Sequence, residues 1–430
     1  AASSNWRNNY NSSISSTSSS TVLVNRADGK ILTYTLINGQ WTSDSDITDT
    51  LIKLPNAVGW KYTTSDGTVE TYNIDGKLQT ITNRAGLTQT LAYDVNNRLW
   101  KVTDPSGRQL TFVYVINSSN ATGTITDPHG GQYITSSSGG NLTSVTYPDG
   151  QKRIYLYENT IATTGNATQP HALTGIINTT AADTTGANGT RYASYWYDTQ
   201  GRAYKEEMAP NLNQGIDKNQ LAYTVDANTG SPIKTIVTDA LSTARTYNFT
   251  TILGVVKSTG QSQPGGSGCG AAASAMTYDA NGNVASRTDF NGNQTCYAYD
   301  MGRNLETVRA EGLAGGTACP ADLAAWTPIT GTVQRKVVTQ WHASFRLPTV
   351  VTEAGKVTGF GYDSQGNLLG KTVTDIASGQ SRTWSYSYTT AADGTLVNLL
   401  KTVDGPRTEV ADVATYGYAA NGDLASVTNA

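Results

Sequence analysis

Between Tyr93 and Tyr114 apolar and polar residues alternate in short runs. Leu99, Lys101 and Thr103 fall on one side, Trp100 and Val102 on the other, and Leu110, Phe112 and Tyr114 share a side. A period of two over such runs predicts strands with one buried face. The runs are cut by Asp94-Val-Asn-Asn and Asp104-Pro-Ser-Gly107. Asp and Asn bond their own backbone, and Gly accepts a positive φ, so these segments predict turns. The 21 residues from Tyr93 to Tyr114 thus read as two strands and two turns.

The same unit recurs. Tyr72, Tyr93 and Tyr114 are spaced by 21 residues, as are Tyr278 and Tyr299, and Trp341 and Tyr362. Variants of Tyr-Asp-x-x-Gly-[Arg/Asn]-x-Leu open at Tyr93-Asp94, Tyr197-Asp198, Tyr278-Asp279 with Gly282, Tyr299-Asp300, Tyr362-Asp363 with Gly366, and Tyr418 with Gly422. An internal period of this length predicts stacked supersecondary units, none able to bury its face alone. The usual inference of two or three domains from a 430-residue length therefore does not apply.

Composition sharpens this picture. There are 24 Tyr and 8 Trp against 5 Phe, and 43 Gly. Tyrosine buries a ring yet keeps a hydroxyl for water or a carbonyl, which suits a thin sheet with a half-wet face. A net charge of −3 with 15% charged residues excludes nucleic acid as the main partner. No run of 18 apolar residues exists to span a membrane. The chain starts without Met or a charged-then-apolar leader, and is expected to be a mature or proteolysed piece. Sparse Cys and Lys with abundant Thr, Ser, Asn and Gly point to secretion or the cell surface.

The recurring Tyr-Asp-x-x-Gly units resemble the RHS (rearrangement hotspot) or YD-repeat family of large bacterial secreted proteins. The segments Gly59-Trp60-Lys-Tyr62, Ile81-Thr-Asn-Arg84-Ala-Gly86, Trp341 to Thr349 and Val403 to Thr408 carry the likeness further. The resemblance implies an all-β fold, tandem hairpins forming a spiralling, largely antiparallel sheet that is an open or partial hollow shell. In related proteins such a shell encloses a toxin domain or serves adhesion. The Asp-Pro-x-Gly-Leu-type ending linked to self-cleavage is absent: Asp104-Pro-Ser-Gly107 is followed by Arg108, and Asp127-Pro-His-Gly130 by Gly131. The chain reads as a stretch of a longer array, with too few repeats to close a cocoon alone.

Repeat-bearing segments are expected at 41–158, 192–260, 276–310 and 333–430, after a degenerate lead-in over 1–40. They are separated by a loop-rich insertion at 159–191, a Gly/Cys insertion at 261–275 and a Cys-containing insertion at 311–332, whose Ala321 to Trp326 predicts a helical turn. Asn117 to Thr124 also reads as a loop. Loops of a repeat array project from one edge and often meet partners.

Candidate chemistry is sparse. His129, His171 and His342 stand apart, with no second ligand at metal spacing. Asp279-Ala-Asn281-Gly282-Asn283 resembles the opening of a calcium loop, but Phe290 occupies the place of the required Glu. Gly265-Gly266-Ser267-Gly268 lacks the strand-to-helix context of a nucleophile. No catalytic residue, metal ligand or cofactor is assigned. Cys269, Cys296 and Cys319 cannot all pair within one chain. A Cys269–Cys296 or Cys296–Cys319 bridge, three free thiols, or an intermolecular bridge all remain open. A non-catalytic scaffold enclosing other polypeptide follows best. Its partners are other parts of the same parent chain or identical subunits. A filament or adhesin built through sheet edges, and a glycan-binding surface using Tyr and Trp, are the alternatives.

Overall fold

The computed structural model describes residues 6–157, 169–208, 216–394 and 397–430. Parts of the expected lead-in (1–5), of the 159–191 insertion (159–168) and of three repeat segments (158, 209–215, 395–396) lie outside these residues. The described residues form 34 strands, from β1 (Ser13–Ser16) to β34 (Leu424–Asn429), in a single sheet. Each strand pairs antiparallel with its neighbours in sequence, so the chain is one continuous meander. No described helix is long and apolar enough to cross a membrane.

Turn chemistry explains the meander. Between β9 (Thr88–Tyr93) and β10 (Leu99–Thr103), Asp94 Oδ1 accepts the amides of Asn96 and Arg98 at 2.9 and 2.8 Å, and Oδ2 accepts Arg98 Nε at 2.8 Å. Asp198 with Arg202, and Asp363 with Asn367, repeat this arrangement. The [Arg/Asn] position of the motif is therefore the second partner of the aspartate. Gly366 (φ +80°) takes the left-handed position that closes its turn, and Asn97 (φ +63°) does so in the Asp94 turn.

Each such turn carries a β-bulge. Tyr93 pairs with Leu99 but Ala92 pairs with Lys101, so Trp100 has no partner. The same one-residue slip occurs at Tyr72, Tyr197, Tyr278, Tyr362 and Tyr418. The bulge corrects the alternation read for β10. Leu99 and Val102, three residues apart, both join the core, with Val102 4% exposed, whereas Trp100 is 41% exposed. An extra residue reverses the side on which every later residue points. A second correction concerns Asn117 to Thr124. β11 (Gln109–Asn117) and β12 (Asn120–Thr126) stay paired to their ends, Asn117 with Asn120, and only Ser118 and Ser119 turn the chain. Small polar residues here line an ordinary strand, with Ser118 at φ +46°.

The first strands fold back over later ones. β2 (Thr21–Asn25) and β3 (Ile31–Ile37) follow β1, and at the corner β4 (Gln40–Thr42) and β5 (Thr50–Lys53) share the single register pair Trp41–Leu51. Ile14, Val22, Val24 and Tyr34 from this lead layer form one core with Trp60, Tyr62, Tyr72, Leu78, Leu91, Val102 and Phe112. The Ile14 amide donates to the Gly76 carbonyl at 2.8 Å. A Cβ on Gly76 would fall 1.7 Å from the Ile14 oxygen, so both the close approach and φ +75° demand glycine there. Arg26 reaches Glu70 with two hydrogen bonds, at 2.5 and 2.9 Å, tying the layers together.

The sheet also overtakes its own start. Asn304 donates to the Ser45 carbonyl at 2.7 Å, Asn398 to that of Ala85, and Arg108 pairs with Asp423 at 2.7 Å. These partners lie 259, 313 and 315 residues apart and meet turn to turn. The array therefore winds, and the turns of a second coil rest on the turns of the first.

Candidate functional site

The repeat-defining residues assemble one device. Tyr93 donates its hydroxyl to the Leu78 carbonyl at 2.7 Å, the residue just past the preceding Tyr72 turn. Tyr299 does so to Val284 (3.0 Å), Tyr362 to Pro348 (2.8 Å) and Tyr418 to Leu400 (2.7 Å). Tyr197 reaches Leu173 at 2.7 Å, and Tyr278 reaches Ser258. Tyr72, wholly buried, instead bonds the Glu70 carboxylate, and Tyr114 lies beneath the Arg98 guanidinium, 5.3 Å from its ring centre. Apart from Tyr72 and Tyr114, each of these tyrosines clamps its unit to an earlier backbone carbonyl. Burial pushes the hydroxyls of Tyr93 and Tyr299 up to about 12, so they stay protonated donors at neutral pH.

Several clamp residues carry no complete motif. Tyr223, Tyr388 and Tyr157 bond Ala203, Leu368 and Leu142, and Trp341 donates from Nε1 to Glu306 at 2.7 Å. None has Asp as its next residue. The detectable signal was an aromatic residue ending an alternating run, whether or not an aspartate comes after it.

The turn aspartates are consumed by structure. Asp279 accepts the amides of Asn281 and Asn283 on Oδ1 and Asn283 Nδ2 on Oδ2, and Gly282 (φ +75°) closes the turn. Asp300 accepts the Gly302 amide, and Gly422 (φ +82°) closes a turn in which Ala419 stands where the other motifs have aspartate. The hydrogen bond from the Arg98 amide, with those from its side chain and the Asn96 amide, outweighs desolvation and holds Asp94 below the usual carboxylate range. The histidines remain apart. His129 lies in the Asp127 turn, His171 Nδ1 faces Asn141 at 2.9 Å, and His342 stacks on Phe345 at 4.8 Å. Among the described residues no three His, Cys, Asp or Glu side chains gather as metal ligands do.

Cys296 and Cys319 are disulfide-bonded, and Cys269 is a free, exposed thiol. Cys296 lies in β25 (Asn293–Asp300), three residues before the clamp residue Tyr299, and therefore on the face away from the tyrosines. Cys319 belongs to the segment 315–334, between β26 (Leu305–Ala314) and β27 (Arg335–Trp341). A single helical turn closes it, Trp326 N to Asp322 O at 3.0 Å. Leu323, Trp326 and the bridge cover Val308, Ala310 and Val338 as a second, smaller core. The two faces of the sheet are thus covered in different places, the tyrosine face by the lead layer and the opposite face by the stapled loop.

No curated protein matches the chain. Among solved structures, the chain is similar to one of a Photorhabdus luminescens Tc holotoxin pore, with 11% identity over 95% of this chain and 25% of that one, at a TM-score of 0.36. It is likewise similar to a TcdB2-TccC3-Cdc42 structure, with 11% identity over 95% of this chain and 23% of that one, at 0.38. The chain spans about a quarter of the length of these proteins. The RHS Repeat family profile matches residues 72–109, which hold the Tyr72 and Tyr93 turns and the first of the clamps. Residues 72–109 are thus an RHS repeat.

Proposed function

We propose that this chain is a non-catalytic wall of a secreted β-repeat shell whose tyrosine face holds other polypeptide. One observation carries this reading: the chain's own lead layer already lies on that face, as a separate stretch of polypeptide docked over the clamps. The core beneath the lead strands ends at β12, and beyond it Trp6 of the lead-in reaches the clamp residue Tyr157, donating from Nε1 to its hydroxyl at 2.9 Å. The winding, with turns resting on turns, suits a wall better than a compact catalytic domain. The Cys296–Cys319 bridge fits an oxidising compartment.

A second reading is a filament formed through the sheet edge. The residues of β34 are exposed, including Leu424 and Val427, and an exposed apolar strand pairs with another wherever it forms a sheet edge. Electron microscopy of the purified chain separates the two. Discrete curved walls enclosing a lumen support the shell, head-to-tail fibres support the filament, and solid globules contradict both.

A further inference from the structure

Where the two coils meet, a cavity of about 760 Å³ is lined by Trp41 to Asp49 of the first coil and by Met301 to Asn304 and Ser344 to Arg346 of the second. Three guanidinium groups border it: Arg84 from the first coil, Arg303 and Arg346 from the second. Among the described residues none of the three forms an ion pair. Arg303 donates to the carbonyls of His342 and Phe345, and Arg346 to those of Arg303 and Asn304. Two N–H groups of each are thereby used, out of the five a guanidinium carries. Arg84 is barer still. It lies 6.0 Å from the Phe345 ring centre and against Gly366, where a Cβ would come 2.8 Å from its Cδ, and its buried Nε has no acceptor. Buried N–H groups are ordinarily hydrogen-bonded, so this one stands open to an acceptor.

The carboxylates on the same cavity do not fill that role. Asp49 accepts the Tyr62 hydroxyl and the Ser65 amide, and Asp66 accepts the Thr64 hydroxyl and the Thr68 amide. Asp44 is exposed, and Lys61 adds a fourth cation. Guanidinium forks suit the oxygens of phosphate or carboxylate groups, which they grip in pairs.

We infer that this cavity is an oxyanion site in which a phosphate or carboxylate group bridges Arg84 of the first coil to Arg303 and Arg346 of the second, locking the wound sheet. The oxyanion comes either from solution or from acidic side chains of a polypeptide. Isothermal titration calorimetry of the full chain tests this with inorganic phosphate and with a tri-glutamate peptide. One of the two saturates with one site per chain. Arg84→Gln weakens it by about tenfold or more, as loss of a charge-assisted hydrogen bond does, and Arg84→Lys weakens it less. Arg407→Gln, whose partner Asp412 lies elsewhere, leaves it unchanged. Phosphate alone binding assigns the site to a free oxyanion, and peptide alone binding assigns it to a polypeptide. Saturation by neither up to about 10 mM, a regime of weak millimolar affinity, overturns the inference, as does undiminished binding by Arg84→Gln. Should Arg84→Gln unfold, as circular dichroism would reveal, Arg346→Gln is expected to lose binding in its place, and full binding by that variant is equally fatal.

Discussion

The same repeat position is built twice, in the Tyr72 turn and in the Tyr418 turn, with opposite results. Leu78, just past the Tyr72 turn, is 0% exposed, whereas Leu424, just past the Tyr418 turn, is 55% exposed. Both come after a bulged turn and both pair with the motif tyrosine. The difference lies above the sheet. Leu78 shares a core with Ile14, Val22 and Val24 of the lead layer, whereas no residue of β34 belongs to a core among the described residues. The repeat sets where a side chain points, and a second layer decides whether that position becomes a core.

The sharpest way to break this comparison is to cut both leucines back. Leu78→Ala is expected to cost about 2–5 kcal/mol and Leu424→Ala within about 0.5 kcal/mol, read from urea denaturation. Equal losses would mean that the lead layer is not packed as described. The stapled loop offers a second contrast. Its bridge spans 23 residues of sequence, and Cys319→Ser is expected to cost about 3 kcal/mol and to open 315–334 to proteolysis before the lead layer frees. Thiol counting on the unfolded, unreduced chain should find one free thiol, Cys269. Three would remove the staple.

The clamp predicts a smaller and more uniform effect. Tyr93→Phe, under the lead layer, and Tyr418→Phe, away from it, each leave one carbonyl short of a donor, at about 1 kcal/mol apiece, because the hydrogen bond exists with or without a second layer. A cost confined to one end would show that the clamp depends on burial. Acid acts most gently and on both halves. The carboxyl of Asp183 is disfavoured by burial, yet hydrogen bonds from Thr179 and the amides of Gly186, Asn188 and Thr185 hold it at about 2, and Asp94 and Asp289 are also lowered. Depressed carboxyls stabilise the fold above their unfolded values near 4, and that stability is lost as pH falls toward 2. Urea midpoints should be level between pH 7 and 5 and decline between pH 4 and 2. A midpoint unchanged at pH 2 would contradict the turn geometry.

The sequence was legible where its chemistry is local. Asp94 capping its own turn and Gly366 at positive φ act within five residues, so strands and turns could be read along most of the chain. The bulge at Trp100 could not, because a period of two passes silently through one extra residue. Tyr223 and Tyr388 escaped because their clamps need an aromatic ring and a neighbour's carbonyl, not the aspartate that marks the motif. The folding back of β1 to β4, the meeting of Arg108 with Asp423, and the arginines around the seam cavity depend on accumulated curvature, which no single unit encodes. Cysteine spacing left the bridge undecided, since both candidate pairings close loops of similar length.

The central claim, that one continuous sheet winds far enough to rest on its own first turns, is open to a direct distance measurement. Spin labels at Ser106 and Asn421, with Cys269 replaced by Ser, flank the Arg108–Asp423 contact. Pulsed dipolar spectroscopy should return one distance of about 20 Å or less, since the two turns touch. An unwound ribbon would place β10 and the strand before β34, 23 spacings of about 4.8 Å along the sheet, roughly 110 Å apart. The absence of any dipolar coupling would contradict the winding.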